Sequence, residues 1–248
     1  MLFKKKQKRE LTQEEKLQEL QDQFETTRVE TGLLKKITVV LASAMSLFQL
    51  WAAGVFMLPQ PQHKAIHLAF ALVLTFLIYP ACKAHRKKFP WFDALFAVLG
   101  LATGAYLVIN YWDLIYRSGS PVTMDIVMGA ITIILIFEAA RRTMGWPLVI
   151  VGLLFLAYAL WGQYLPSGIS HRGYSVERIV EHMYLTGEGI YGVAIYVTAT
   201  YVFIFVLLGS FLGVTGGAQS FIDLSFSVTG GYRGGPAKAA VVASGLMG

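Results

Sequence analysis

Glu138, Arg141 and Arg142 are the most informative charged residues of the sequence, because they stand at one end of a long apolar stretch. Spacings of three and four residues place one acid and two bases on adjoining faces of a helix. An ionisable residue at membrane depth can belong to a proton or ion path. The same spacing also suits a membrane ion pair that fixes the depth of a helix, and this is the interpretation we favour.

The histidines offer a second candidate chemistry. His63 and His67 are spaced i, i+4, which can hold a metal ion, although no third ligand lies nearby; the pair also fits histidines at a membrane edge. His171 and His182 show no ligand spacing. Because no Ser/His/Asp or Cys/His arrangement is recognisable, we expect no catalytic residue, no metal site, no cofactor and no enzymatic activity. The one cysteine, Cys82, cannot form an internal disulfide.

Several other motifs favour structural roles. Asp93 and Asp125 fall in the first turns of predicted helices, where a carboxylate complements the helix dipole. The stretch "GEGIYG", residues 187–192, matches a dinucleotide-binding pattern, but an amphipathic segment precedes it instead of a strand. We therefore interpret it as a hinge. The GxxxG patterns at 100–104 and 209–213 permit close helix contacts, but they are weak signals in a chain with 24 glycines.

The elements that must position these residues are membrane helices. The chain has 248 residues, of which 55% are hydrophobic and 15% charged, and its mean hydropathy is +0.55. Soluble domains carry about 25% charged residues, so this composition indicates an integral membrane protein. The pattern predicts an all-α fold with six transmembrane helices and the start of a re-entrant or seventh helix from Pro236. The six predicted spans are 37–58, 65–82, 92–112, 122–140, 145–163 and 193–214.

The distribution of positive charge predicts the orientation. With the N-terminus in the cytoplasm, all of the 21 Lys and Arg residues fall on the inner side except Lys64, Arg117, Arg172 and Arg178. This asymmetry obeys the positive-inside rule. The net charge of +6 therefore indicates contact with membrane lipids rather than with nucleic acid. We expect a multi-pass membrane protein with its N-terminus in the cytoplasm.

The last third of the chain resembles a known family. "YVFIFVLLGSFLGVTGG" and "FIDLSFSVTGGYRGGPAKAAVVASGLMG" are similar to the opening of the large membrane subunit of tripartite ATP-independent periplasmic (TRAP) transporters, and most of all to the fused permeases of the TAXI branch. "FEAARRTMGWPLVIVGLLFLAYALWG", Phe137 to Gly162, resembles the connection between the small and large subunits in those fused chains.

The resemblance implies a division of the chain into four parts. These are a cytoplasmic tail (1–35), a four-helix unit like the small subunit (36–142), a linking transmembrane helix (143–165) and the start of the large subunit (166–248). The last part would contain an outer connection (166–192), a scaffold helix, an amphipathic inner arm (217–233) and a truncated helix. The chain is therefore expected to be an N-terminal fragment that stops before the transport domain.

The resemblance also implies a function and a location in the bacterial inner (plasma) membrane. The chain is expected to be the permease component of a secondary active transporter, with sodium as coupling ion, organic acid uptake, and a periplasmic TAXI-type substrate-binding protein and the remaining C-terminal permease segment as partners. Substrate-binding residues are expected beyond Gly248. The alternative is a non-transporting assembly or regulatory module of the membrane. The sequence leaves open the substrate, sodium against proton coupling, the reason that the chain stops at Gly248 and the oligomeric state.

Overall fold

A computed structural model of the chain describes residues 27–29, 32–56, 58–82, 85–86, 89–117 and 119–247. Most of the predicted N-terminal tail therefore lies outside the described residues, as does the terminal Gly248. Within those ranges the secondary structure is helical, without strands. The helices are α1 (Gly32–Gly54), α2 (Gln60–Ile78), α3 (Trp91–Ile109), α4 (Tyr111–Tyr116), α5 (Thr123–Thr143), α6 (Trp146–Trp161, followed by a 3-10 turn Gly162–Tyr164), α7 (Val176–Leu185), α8 (Val193–Thr215), α9 (Gly217–Thr229) and α10 (Gly235–Met247).

The predicted all-α membrane class is confirmed, and the described residues contain six helices long and apolar enough to cross a membrane. Their boundaries differ from the predicted ones. The first helix begins at Gly32, five residues before the predicted span, and its first turns include the basic residues Lys35 and Lys36. The second ends at Ile78, since Tyr79 precedes a proline and adopts an extended backbone. A further 13-residue helix, Gly235–Met247, begins next to Pro236, where the sequence predicted the start of a helix.

The two helices that the resemblance connects, α5 and α6, are separated only by Met144 and Gly145. Gly145 has φ of +85°, a left-handed conformation that favours glycine, and Pro147 lies in the first turn of α6. The chain thus reverses direction between Thr143 and Trp146 without a loop.

The densest packing lies between α2 and α3. A Cβ atom at Gly104 would stand 2.6 Å from the Cβ of Ala69, and one at Gly100 would stand 3.0 Å from the Cβ of Leu72. These glycines let the two helix backbones approach closely. The buried side chains of the interface, including Phe76, form the main apolar core together with residues of α5 and α7.

The short helix α7, which lies within the predicted outer connection (166–192), belongs to this core. Val180 and Tyr184 are buried, and a Cβ atom at Gly129 of α5 would stand 2.5 Å from Val180 Cγ1. Ser175 caps the helix by accepting a hydrogen bond from the Arg178 backbone N–H. Through α7 the connection therefore packs against α5.

The C-terminal helices are more open. In the most apolar 18-residue stretch of α8, only 6% is buried inside the structure, whereas in the corresponding stretch of α2 the buried share is 44%. Gly209 and Gly213 of α8 have no heavy atom within 4 Å of a Cβ placed on them, so this GxxxG pattern makes no contact among the described residues. Helix α9 covers part of the predicted amphipathic arm and ends at Thr229.

Candidate functional site

The three residues that the sequence singled out meet at the end of α5. Glu138 accepts hydrogen bonds from Arg141 Nε and Nη2, both at 2.7 Å, and from Arg142 Nε, also at 2.7 Å. All three side chains lie on one side of the last helical turns because their spacing matches the helical period. The carboxylate therefore bridges two guanidinium groups within a single helix.

Two further charged residues, which sequence reasoning did not connect, extend this group. Arg142 Nη1 lies 2.7 Å from Asp93 Oδ1, and Arg28 Nη2 contacts Asp93 Oδ2. The side chains of Arg28, Asp93 and Arg142 are at most 1% exposed. Asp93 occupies the first turn of α3, as expected, but its carboxylate is also part of an ion network of five residues, in which Arg28, Asp93 and Arg142 are buried and Glu138 and Arg141 are partly exposed.

The network also binds backbone groups of neighbouring elements. Arg142 Nη1 donates to the carbonyl oxygen of Tyr79 at 3.0 Å, and both Nη atoms of Arg141 donate to Ala81 at 3.2 Å. The Arg28 backbone N–H donates to the carbonyl oxygen of Ile78 at 2.7 Å. These contacts join the segment before α1, the end of α2, the start of α3 and the end of α5.

The charges in this network do not cancel. Among the described residues, three guanidinium groups face the two carboxylates of Asp93 and Glu138, an excess of one positive charge. Within the same part of the chain, the Nε and Nη1 atoms of Arg28 and the Nη2 atom of Arg142 are buried and have no hydrogen-bond partner. Guanidinium groups hold their protons, so the geometry favours a structural connection over a proton path.

A second polar group lies at the other end of the bundle, around Asp125. Its Oδ1 atom accepts hydrogen bonds from the Tyr106 hydroxyl at 2.5 Å and from Arg117 Nη2 at 3.0 Å, while Oδ2 accepts the Val122 backbone N–H at 3.0 Å. Asp125 is fully buried in the first turn of α5. The carboxylate caps its helix and at the same time connects α3, α4 and α5.

The pair of histidines is joined through a glutamine. Gln49 Oε1 lies 2.7 Å from His63 Nε2, and Gln49 Nε2 lies 2.7 Å from His67 Nδ1. The amide therefore accepts from one ring and donates to the other. Among the described residues no cluster of three metal-ligating side chains occurs, so the geometry gives no support to the metal interpretation.

Lys64, next to these histidines, connects α2 to the segment that follows α7. Its Nζ atom donates to the carbonyl oxygen of Tyr191 at 2.9 Å and lies 5.5 Å from the ring centroid of Tyr196. Tyr191 belongs to the "GEGIYG" stretch and is buried. This stretch forms turns between α7 and α8, in agreement with its interpretation as a hinge into the sixth span.

Tyrosines secure the α7 segment. The Tyr184 hydroxyl donates to the carbonyl oxygen of Thr103 in the middle of α3 at 2.8 Å. Burial raises the pKa of Tyr184 and of Tyr191 above the ordinary value for tyrosine, because a phenolate would lose its hydration. Both hydroxyls therefore remain neutral at physiological pH.

The remaining residues from the sequence analysis lie apart from these groups. His171 contacts Tyr158, with its Nε2 atom 2.9 Å from the Tyr158 carbonyl oxygen, and His182 is exposed. Cys82 is exposed, and its Sγ atom lies 3.0 Å from His85 Nδ1. This contact pairs a thiol with an imidazole three residues further along the chain, a pair that the sequence analysis did not single out.

Helix α8 contains one irregular turn beside the Gln49 and His67 side chains. Residues Thr198–Val202 form a π-helical turn, in which the Phe203 N–H bonds to the carbonyl oxygen of Thr198. The ring centroid of Phe203 is 6.0 Å from that of His67. Such turns are frequent at functional sites of membrane and soluble proteins.

Comparison with known proteins places the C-terminal half in context. Residues 131–248 match a family model described as "Tripartite ATP-independent periplasmic transporter, DctM component". No curated protein and no solved structure matches the chain. The matched region starts within α5, near Glu138, and includes α6 to α10. The second half of this membrane chain is thus similar to the DctM component of TRAP transporters, which supports a TRAP permease.

Proposed function

We propose that the chain is a membrane permease component of a binding-protein-dependent secondary active transporter of the TRAP type. The observation that supports this proposal is the DctM family match over residues 131–248, together with six helices long and apolar enough to cross a membrane. The finer proposal is a fused permease of the TAXI branch that uses a sodium gradient for the uptake of an organic acid. Its partners would be a periplasmic TAXI-type substrate-binding protein and further permease segments.

Within such a permease the described bundle would act as the scaffold. Five charged residues tie α2, α3 and α5 together at one end, and Asp125 ties α3, α4 and α5 at the other. A helix bundle that is tied together at both ends resists bending while another part of the transporter moves. Transport sites usually form where two discontinuous helices meet near the midplane, and among the described residues only α10 is a candidate for such a helix.

The transport function can be tested in proteoliposomes. We expect no accumulation of a radiolabelled organic acid by the 248-residue chain alone. Sodium-dependent uptake should appear when the chain is reconstituted with a C-terminal DctM segment and a TAXI-type binding protein. Uptake by the chain alone would contradict the scaffold role, and failure of every reconstituted combination would favour the alternative of a non-transporting assembly or regulatory module.

The proposed orientation, with the N-terminus in the cytoplasm, can be tested with the native cysteine. Cys82 is exposed and lies at the predicted inner end of α2. A membrane-impermeant maleimide should label it in inside-out vesicles and leave it unlabelled in right-side-out vesicles. Arg172→Cys in a Cys82→Ala background should give the opposite result. Labelling of both positions from the same side would contradict the proposed threading.

A further inference from the structure

An apolar groove runs along the outer surface of the α2–α3 pair. Its volume is about 580 Å³, and every side chain that lines it is apolar. Phe70 and Val73 of α2 form one wall and Leu101 and Val108 of α3 form the other, while Ile37 of α1 closes one end. The groove is therefore a surface for an apolar, elongated occupant.

The length of the groove suits a lipid chain. Its lining on α3 extends from Ala94 to Ile109, which is about 22 Å at a rise of 1.5 Å per residue. One leaflet of a bilayer contributes about 15 Å to a hydrocarbon core of about 30 Å. The groove is thus longer than one leaflet is deep, so a single acyl chain can lie in it through the full depth of its leaflet.

Positive charge is concentrated at one end of the groove. Lys35 and Lys36 are exposed in the first turns of α1, directly before the lining residue Ile37. The Arg28 guanidinium lies 4.8 Å from the ring centroid of Phe89, another lining residue, and belongs to the ion network with one excess positive charge. At the opposite end Arg117 is paired with Asp125.

We propose that this groove is a binding site for one anionic phospholipid. The acyl chain lies between α2 and α3, and the phosphate group is held at the end of α1 by Lys35 and Lys36. The excess positive charge that the Arg28 network has among the described residues adds a favourable potential there without touching the lipid, because the Arg28 side chain is only 1% exposed. Basic residues near the surface contribute about 1 kcal/mol each to the binding of anionic lipid, which corresponds to about thirtyfold for two lysines. This proposal is independent of the transport function.

Native mass spectrometry of the full chain in mild detergent tests the site. With equal amounts of phosphatidylglycerol and phosphatidylcholine, we expect one retained phosphatidylglycerol and about thirtyfold weaker retention of phosphatidylcholine. The double variant Lys35→Gln/Lys36→Gln should remove this preference. Ala105→Phe, which fills the groove, should lower retention of both lipids.

Matched variants separate the site from general effects. Arg233→Gln/Lys238→Gln removes the same charge from the turn before α10 and from the start of α10, away from the groove lining, and should retain phosphatidylglycerol like the parent chain. Leu148→Phe adds an aromatic ring on the exposed surface of α6 and should have no effect. Equal retention of both lipids by the parent chain would overturn the proposal. An unchanged preference for phosphatidylglycerol in the Lys35→Gln/Lys36→Gln variant would also overturn the proposal. A dimer of the parent chain that dissociates when Ala105 is replaced by phenylalanine would overturn it as well.

Discussion

The two halves of this chain use the same apolar composition in different ways. In α2 to α5, buried ion networks at both ends and glycine contacts in the middle fix every helix against another helix of the same chain. In α8, only 6% of the most apolar window is buried, and the contacts of α9 and α10 are mainly with each other. Apolar surface alone therefore marks a membrane helix, whereas the small and charged residues decide which helices become a self-contained bundle.

The largest effect should follow removal of the central carboxylate of the inner network. Asp93→Ala leaves Arg28 and Arg142 buried without their shared partner, and breaking a buried ion pair costs about 3–5 kcal/mol. Thermal unfolding of the detergent-purified chain should show a much lower midpoint. Asp223→Ala, at an exposed position of α9, is the matched control and should leave the midpoint nearly unchanged. Equal midpoints for the two variants would remove the distinction between the halves.

A somewhat smaller effect is expected from the glycines. Gly104→Leu would force the α2 and α3 backbones apart, because even a Cβ atom there would stand 2.6 Å from Ala69, and overpacking costs about 1–3 kcal/mol. Gly209→Leu places the same side chain in open space on α8. The difference between the unfolding midpoints of the two variants measures how much more tightly α2 and α3 are packed than α8. A loss of stability in Gly209→Leu as large as in Gly104→Leu would show that α8 is packed more tightly than its surface indicates.

Replacement of the α7 tyrosine should have a modest effect with a characteristic pH dependence. Tyr184→Phe removes the hydrogen bond to Thr103, worth about 1 kcal/mol. Since burial raises the pKa of Tyr184, the folded chain retains the proton above pH ~10, where the unfolded chain releases it. Stability should thus be unaffected by this group below that pH and fall above it by about 1.4 kcal/mol per pH unit.

Unfolding midpoints measured between pH 8 and 11 check this expectation. The Tyr184→Phe variant should lose less stability at alkaline pH than the parent chain, and the remaining decline would come in part from Tyr191, whose pKa is also raised by burial. Identical pH profiles for variant and parent would contradict the burial of the phenol.

The smallest effect is expected at the exposed surface of the same helix. Arg178 forms an ion pair with Glu181 at 3.0 Å, but its side chain is 64% exposed. Water and salt screen such pairs, so Arg178→Gln should change the unfolding midpoint little. A loss comparable to that of Tyr184→Phe would indicate that α7 has an additional partner at this face.

The sequence was sufficient for the spans but insufficient for the partners of charged residues. Glu138, Arg141 and Arg142 could be grouped because three- and four-residue spacings are local, and the structure places them in contact. Arg28 and Asp93 are separated by 65 residues, so their contact depends on how α3 packs against the segment before α1. The same reason explains why the link between Lys64 and Tyr191, 127 residues apart, was not foreseen.

The path of residues 166–192 was also difficult to foresee. Glycine at position 129 is the sequence signal that could have indicated it, because a residue without a side chain in α5 leaves room for Val180 and Tyr184. Glycines are too frequent in this chain for such a signal to stand out. The sequence shows that the segment before residues 187–192 is amphipathic, but tertiary packing determines where the helix α7 lies.

The π-helical turn in α8 has a consequence for how its surface is arranged. A turn that accommodates one additional residue advances every later side chain by about 100° around the helix axis relative to a regular helix. Residues before Thr198 and after Val202 therefore point in directions that a single helical wheel would assign wrongly. The half of α8 that begins at Phe203 therefore faces a different direction from the one that a regular helix would give it. Deletion of one residue from the turn would rotate all side chains of this half together.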